Sequence, residues 1–266
     1  MIWQWFFSFF ENSTAGKVKK VKVLACIPAR YGSTRFAAKV LAKDTGKFLI
    51  QHTYERACQA KLIEKVIIAT DDERVFDAAR SFGADVVMTS SEHQSGTDRI
   101  AEAIGDIDVE IVVNLQGDEP EIDPDNIDLV AELLLNNPDY PMATLVAGFQ
   151  RPEQISDPNI VKAVLDHNGA AIYFSRSAIP YDREKAGVGE IDLYLRHLGI
   201  YAYRKDFILK ITKLPQTPLE KIEKLEQLRV IENGYRILTG KVSHIADGID
   251  TPEQYAAFVE RQKEVV

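Results

Sequence analysis

The chain has 266 residues, 45% of them hydrophobic, enough to bury the core of one α/β domain or of one domain with a sizeable insertion. Its formal net charge of -8 leaves no electrostatic footprint for nucleic acid or an anionic membrane surface, so any anion must be gripped locally. Two cysteines, Cys26 and Cys58, lie outside any CxxC pattern and suit a reducing, cytoplasmic compartment as ordinary small apolar residues.

The first stretch, Met1–Phe10, holds Trp3, Trp5 and four phenylalanines with no basic residue ahead of them. It is too short to span a bilayer and lacks the charged start and small-residue cleavage site of a secretory signal. Residues 1–20 are expected to be an extension outside the fold, and 21–266 a single domain. Membrane contact through residues 1–10 is the sharper and less favoured alternative.

Val21–Ile27 is an apolar run of the kind that forms a buried parallel strand, and Lys47–Cys58 then carries helical spacing. Val66–Ala69 predicts a second strand, Asp71–Phe82 a helix with acids in its first turn, and Asp85–Met88 a third strand. Thr97–Ile104 continues as a helix, Ile111–Leu115 as a strand and Pro124–Asn136 as a helix. Repeated βα units of this length imply an α/β fold with a mostly parallel sheet and helices on both faces.

The pattern then changes. Ile160–Leu165 and Ala170–Phe174 flank the turn-rich Asp166-His167-Asn168-Gly169 and predict an inserted β-hairpin. Asp182–Asp192, with six charged side chains and two glycines, is expected as a mobile loop. Leu198–Tyr203 predicts a strand, Glu220–Ile231 one helix, and Thr251–Lys263 a terminal helix with Thr251 as N-cap and Pro252 at its first position.

Three segments carry chemistry. Val112–Pro120 runs from an apolar strand into a glycine turn that presents Asp118 and Glu119 at a sheet edge, where ligands of open α/β folds sit. Far downstream, Asp247-Gly248-Ile249-Asp250-Thr251-Pro252 forms a second acidic turn. Directly after the first strand, Pro28–Lys39 offers Arg30, Arg35 and Lys39 with hydroxyls and a glycine, a set suited to wrapping a polyphosphate. Neither a Walker A loop nor G-x-G-x-x-G is present, so P-loop and dinucleotide readings lose their main support.

The ordered blocks IPARYGSTR, ATDDERV, HQSGTDR, VNLQGDEP, AVLDHNGAAIYFSRSAIPYDR, LRHLGIYAYR, PLEKIEKLEQLR and GIDTPE resemble the 3-deoxy-manno-octulosonate (Kdo) cytidylyltransferases, from about Lys22 to about Phe258. The resemblance implies a GT-A-like nucleotidyltransferase fold with a dimerising insertion, and the reaction of CTP with Kdo to give CMP-Kdo and diphosphate for lipopolysaccharide synthesis. It places Ala29, Arg30, Ser33, Arg35 and Lys39 on the CTP side, the charged members on its phosphates, and Thr70, Asp71, Ser95 and Gly96 in the base and ribose region. Asp118 and Asp250 match the Mg²⁺ ligands, and Gln116, Arg176, His197, Glu226 and Gln227 match positions around the sugar acid. Arg30, Lys39, Asp118 and Asp250 would then carry catalysis, with Glu119 shaping its turn. A homodimer is implied in the same way.

These residue types suit displacement at an α-phosphate, which must offset repulsion between an anionic sugar acid and a triphosphate. Each assignment has a plainer rival: Asp250 as the lead-in to a helix, His197 as a satisfied core histidine, Glu226 as a solvent-face charge beside Lys221 and Lys224. Two positions depart from the family pattern. The usual Leu-Pro-Gly-Lys-Pro is here Phe36-Ala37-Ala38-Lys39-Val40, and the later Gly-Lys-Pro is Gly46-Lys47-Phe48. Losing the glycine removes freedom for positive φ and losing the proline loosens the loop. A cytidylyltransferase for 8-amino-Kdo or sialic acid, or a nucleotide-binding protein deficient in turnover, remain open alternatives.

Overall fold

The structure is a computed structural model that describes residues 21–32, 36–243, 245–246 and 248–263. The expected N-terminal extension, two of the expected CTP-side residues, Ser33 and Arg35, and Asp247 of the second acidic turn lie outside the described residues.

The first half follows the expected βα order: β1 (Val21–Ala29), α1 (Leu49–Gln59), β2 (Lys65–Thr70), α2 (Glu73–Ser81), β3 (Asp85–Met88), α3 (Gly96–Ala103), β4 (Val109–Asn114) and α4 (Pro124–Asn136). The second half holds β5 (Met142–Gly148), β6 (Lys162–Leu165), β7 (Ala171–Ser175), β8 (Leu195–Arg204), α5 (Lys205–Ile211), α6 (Pro218–Glu223), α7 (Gln227–Glu232), β9 (Ile237–Val242) and α8 (Pro252–Lys263).

The sheet runs β3-β2-β1-β4-β8-β5-β9. Pairing is parallel from β3 to β4 and between β5 and β9, while β8 lies antiparallel to both β4 and β5. Alternate residues of β1 feed opposite cores. Val23, Ala25 and Ile27 pack with Ile50, Ala57, Ile127 and Val130 of α1 and α4. Leu24 and Cys26 pack with Ile100 of α3 and Ile208 of α5. Helices therefore cover both faces, the requirement for a strand that is apolar at every position.

The hairpin forms as expected, β6 against β7 with β6 joined to β8. Its turn is closed by Asp166, whose Oδ1 accepts from Asn168 N and Ala170 N at 2.8 Å each. The charged 182–192 segment is folded back on itself by a two-way backbone pairing of Asp182 with Gly187, at 2.8 and 3.0 Å.

The single helix expected over Glu220–Ile231 is instead two, α6 and α7, broken at Lys224 with φ 53° and ψ 46°. The reason is tertiary. Arg229 of α7 is bound in a fork by Glu220 of α6, with Nε–Oε2 2.8 Å and Nη2–Oε1 2.5 Å, and both side chains are buried. A straight helix would carry these residues, nine apart, two and a half turns from each other; the break folds them together. Strands β5 and β9 and helix α5 carry too little periodicity to be read from sequence. In β9, Gly240 interrupts the pattern because α4 crosses it: a Cβ there would meet Leu145 Cδ2 at 3.0 Å and Leu133 Cδ1 at 3.1 Å.

Candidate functional site

The C-terminal ends of β1, β2 and β4 point to one edge of the sheet, and the loops that follow build one side of the site. At the end of β1, Pro28, Ala29 and the following Arg30 line a small pocket of about 160 Å³ with Ser95, Gly96, Arg99 and Gln116. Gly96 opens α3 against Pro28, and a Cβ there would sit 3.1 Å from Pro28 Cγ, so only glycine lets the helix start approach so closely. Ser95 caps that helix, its Oγ accepting from Asp98 N at 3.1 Å.

Thr70 and Asp71 border this pocket without lining it. Thr70 is fully buried and its carbonyl accepts from Thr89 N at 2.8 Å. Asp71 accepts from Arg99 Nη2 at 2.8 Å, while Arg99 Nη1 donates to Thr89 Oγ1 at 2.6 Å. The pair thus fixes the buried Arg99 guanidinium, which sequence reasoning did not single out, against the pocket.

A second, larger cleft of about 790 Å³ opens on the other side of Gly96 and Gln116. At its rim, Lys39 brings the two predicted metal ligands together. Its ammonium donates to Asp118 Oδ2 at 2.5 Å, Asp250 Oδ1 at 3.0 Å and Ile249 O at 2.9 Å, so three donors meet three acceptors. The two acidic turns, far apart in sequence, are also stitched through the backbone by Ile249 N to Asp118 O at 2.8 Å. Behind them Thr251 and Gln254 form a reciprocal cap for α8: Gln254 N reaches Thr251 Oγ1 at 3.3 Å, and Gln254 Oε1 takes the amides of Asp250 and Thr251. Asp250 is therefore both a helix lead-in and a site carboxylate.

Lys39 is aimed by Ala38, which adopts φ 55° and ψ 25° as the cap of a short 3₁₀ turn, Lys39–Leu41. The expectation that losing the family glycine would deny this position a positive φ is thereby corrected: alanine takes the left-handed conformation. The rest of the altered loop is anchored by packing. Phe36 stacks against Tyr255 of α8 at 5.5 Å between ring centroids, and Val40 is buried in the main core.

The cleft is lined by Gln116, Asp118, His197, Glu226, Gln227 and Asp250 among others. Gln116 Nε2 donates to Gly199 O at 3.3 Å. His197 projects from β8, its Nε2 3.0 Å from Thr144 Oγ1 and its ring edge-on to Phe174. Burial pushes the imidazole down to about 3, so it is neutral at physiological pH. Glu226 sits in the break between α6 and α7 and accepts from Ser95 Oγ at 3.1 Å and Thr97 Oγ1 at 2.8 Å. Desolvation raises its pKa, the flanking hydroxyls pulling the other way.

Arg176 is not among the lining residues. Its Nε donates to Glu223 O at 2.7 Å and Nη1 to Pro158 O at 2.9 Å, tying the end of α6 to the 157–160 wall of the cleft. The buried Lys162 holds the same wall through Asp157 O and Ile160 O, at 2.9 and 2.6 Å. Thr97, Asn114, Arg196 and Tyr201 also line the cleft and went unmarked in the sequence. The available signal was a polar or aromatic residue at the mouth of an otherwise apolar strand. Among the described residues, no group of three or more His, Cys, Asp or Glu could hold a metal ion.

Comparison with known proteins fits this geometry. The family model described as Cytidylyltransferase matches residues 24–237. A 3-deoxy-manno-octulosonate cytidylyltransferase of Solibacter usitatus is 51% identical over 232 residues, 87% of this chain and 91% of that protein. The enzyme of the same name from Syntrophotalea carbinolica is 47% identical, over 88% of this chain and 95% of its own. This chain belongs to the 3-deoxy-manno-octulosonate cytidylyltransferase family. A solved structure of CMP:2-keto-3-deoxy-manno-octonic acid synthetase complexed with CTP superposes with a TM-score of 0.86 at 40% identity, covering 92% of this chain and all of that one. A 4-diphosphocytidyl-2C-methyl-D-erythritol synthase from Anaerococcus prevotii, 12% identical with a TM-score of 0.61, shares the fold alone. The mixed sheet with helices on both faces is thus the nucleotidyltransferase-like fold.

Proposed function

We propose that the protein transfers CMP from CTP to the anomeric hydroxyl of Kdo, giving CMP-Kdo and diphosphate. The observation that carries this reading is the convergence of Asp118 and Asp250 on the Lys39 ammonium, at the rim of a large polar cleft that meets a smaller pocket at Gly96 and Gln116. The smaller pocket beside Arg30 suits part of the nucleotide, and the larger cleft has room for the sugar acid.

In this reading the sugar hydroxyl attacks the α-phosphate in line with the departing diphosphate, without a covalent enzyme intermediate. Arg30 and Lys39 offset the charge that develops on the leaving group. The neutral His197 and the amide of Gln227 orient sugar hydroxyls. Ser95 and Thr97 keep the Glu226 carboxyl turned along the cleft wall.

The donor set fits Mg²⁺: two carboxylates already converge on a cation, and this ion takes one or two carboxylates with substrate phosphates and water. Asp118 and Asp250 would hold it. When bound, it neutralises phosphate charge and acidifies an attacking hydroxyl.

A homodimer formed through the hairpin region is part of the same proposal, supported by the exposed Ile172, Tyr181 and Leu193. A cytoplasmic site of action goes with it, because CTP is made there. Among the described residues no helix is long and apolar enough to cross a membrane.

The test is diphosphate release from CTP and Mg²⁺ with Kdo, 8-amino-Kdo and sialic acid in parallel. Release with Kdo well above the other two is expected, and no release with any of them would overturn the proposal.

A further inference from the structure

Two amides in the larger cleft are buried with a polar atom lacking a protein partner. Asn114 is 3% exposed and Gln227 4% exposed. Neither Asn114 Oδ1 nor Gln227 Nε2 makes a hydrogen bond among the described residues. Buried polar atoms are almost always paired, and leaving one unpaired lowers stability, so each such atom calls for an explanation.

Both residues line the 790 Å³ cleft, beside Thr97, Gln116 and Tyr201. Asn114 does not line the smaller pocket next to Arg30. It is the last residue of β4, held in register between Cys26 of β1 and Tyr201 of β8, so its position is set by the sheet and not by a loop. A carboxamide oxygen can only accept. Phosphate and carboxylate oxygens carry no proton at neutral pH, which leaves an O–H as the group it can take from a sugar acid.

We propose that Asn114 is a specificity-determining residue that reads one hydroxyl of the sugar acid, its Oδ1 accepting from that O–H. Gln227 Nε2 donates to an oxygen of the same molecule. The inference rests on the cytidylyltransferase reading and adds a residue to its acceptor side. A site built to pair a substrate hydroxyl rejects the analogue lacking it, because the protein atom is then left unpaired.

The experiment uses the full chain with CTP, Mg²⁺, Kdo and a panel of monodeoxy Kdo analogues. Asn114→Leu preserves the shape and removes the acceptor. The KM for Kdo is expected to rise about tenfold or more, with CTP affinity within about twofold of wild type. The melting temperature should hold or rise, since an unpaired buried amide has been replaced by an apolar group. Wild type should discriminate against one analogue, and Asn114→Leu should treat that analogue and Kdo alike.

An unchanged KM for Kdo, a parallel loss of CTP affinity, or a fall of several degrees in melting temperature would overturn the assignment. If the variant does not fold, the wild-type panel still decides: equal turnover of every monodeoxy analogue rules out a hydroxyl-reading residue. Absence of turnover by wild type with every sugar acid is a separate result. It would overturn the activity itself and this proposal with it.

Discussion

The half of the molecule from β1 to α4 and the half from β5 to α8 reach the site in different ways. In the first, candidate residues lie at or just past the C-terminal ends of parallel strands: Ala29 at the end of β1 and Arg30 after it, Asp71 after β2, Gln116 and Asp118 after β4. In the second they come from a strand face, a broken helix and a helix cap: His197 on β8, Glu226 as the cap and Gln227 as the first residue of α7, Asp250 before α8. The first half repeats a generic device for gripping phosphate, whereas the second is shaped by tertiary contacts specific to this chain. Strand ends deliver charge at a predictable edge; a sugar with many hydroxyls needs side chains from several directions.

The junction of the halves is where the largest effect is expected. Asp118→Asn removes one of the two carboxylates gathered by Lys39 and should lower diphosphate release about a thousandfold, the scale of losing one key electrostatic group. A loss below tenfold would show that the junction is not the reactive centre. Next is the Arg229–Glu220 fork, which belongs to the second half alone. Glu220→Gln leaves a buried guanidinium opposite a neutral amide and should cost about 3 kcal/mol in urea unfolding. It should also raise the KM for Kdo more than that for CTP, because Glu226 caps α7 and Gln227 opens it. Equal effects on both substrates would erase the distinction between the halves.

The same contrast sets how much was legible in the sequence. The βα order, the boundaries of β3 and α4, the hairpin and each acidic turn follow from local periodicity and turn chemistry, while the pairing of the two turns is what the family resemblance implies. The Glu220–Ile231 helix was misread because its periodicity runs through Lys224, while the fork that breaks it is a tertiary contact. Arg176 carries the charge expected of a carboxylate ligand, yet its guanidinium binds Glu223 O and Pro158 O, partners with no signature in composition. Asn114 escaped notice because one polar residue at a strand end looks like a register mark until its burial is known.

A smaller effect tests whether His197 is a buried part of the second half. Its ordinary value near 6.5 is lowered to about 3 by burial, so the folded chain takes up this proton later than the unfolded chain. Between those pH values the unfolded state holds more protons, and stability falls with falling pH by up to about 1.4 kcal/mol per pH unit from this group. His197→Gln keeps a partner for Thr144 and removes that slope. Urea midpoints of both proteins at pH 7.5 and 5 measure it; parallel shifts would mean the imidazole titrates as a solvated group.

The smallest effect lies in the first half, at Ala38. An L-residue in the left-handed region crowds its Cβ against the carbonyl oxygen, a strain of about 1–2 kcal/mol that glycine does not carry. Glycine also gives the unfolded chain more freedom, which returns part of the gain. Ala38→Gly should therefore stabilise the protein by about 0.5–1 kcal/mol, read as a raised urea midpoint. A destabilisation of the same size would mean that the backbone here prefers a negative φ in solution. Lys39 would then be aimed elsewhere, and the meeting of Lys39, Asp118 and Asp250 would depend on ligand and not on the loop. A gain would show that the loop holds the ammonium in place ahead of any substrate, and that its packing through Phe36 and Val40 carries the strain.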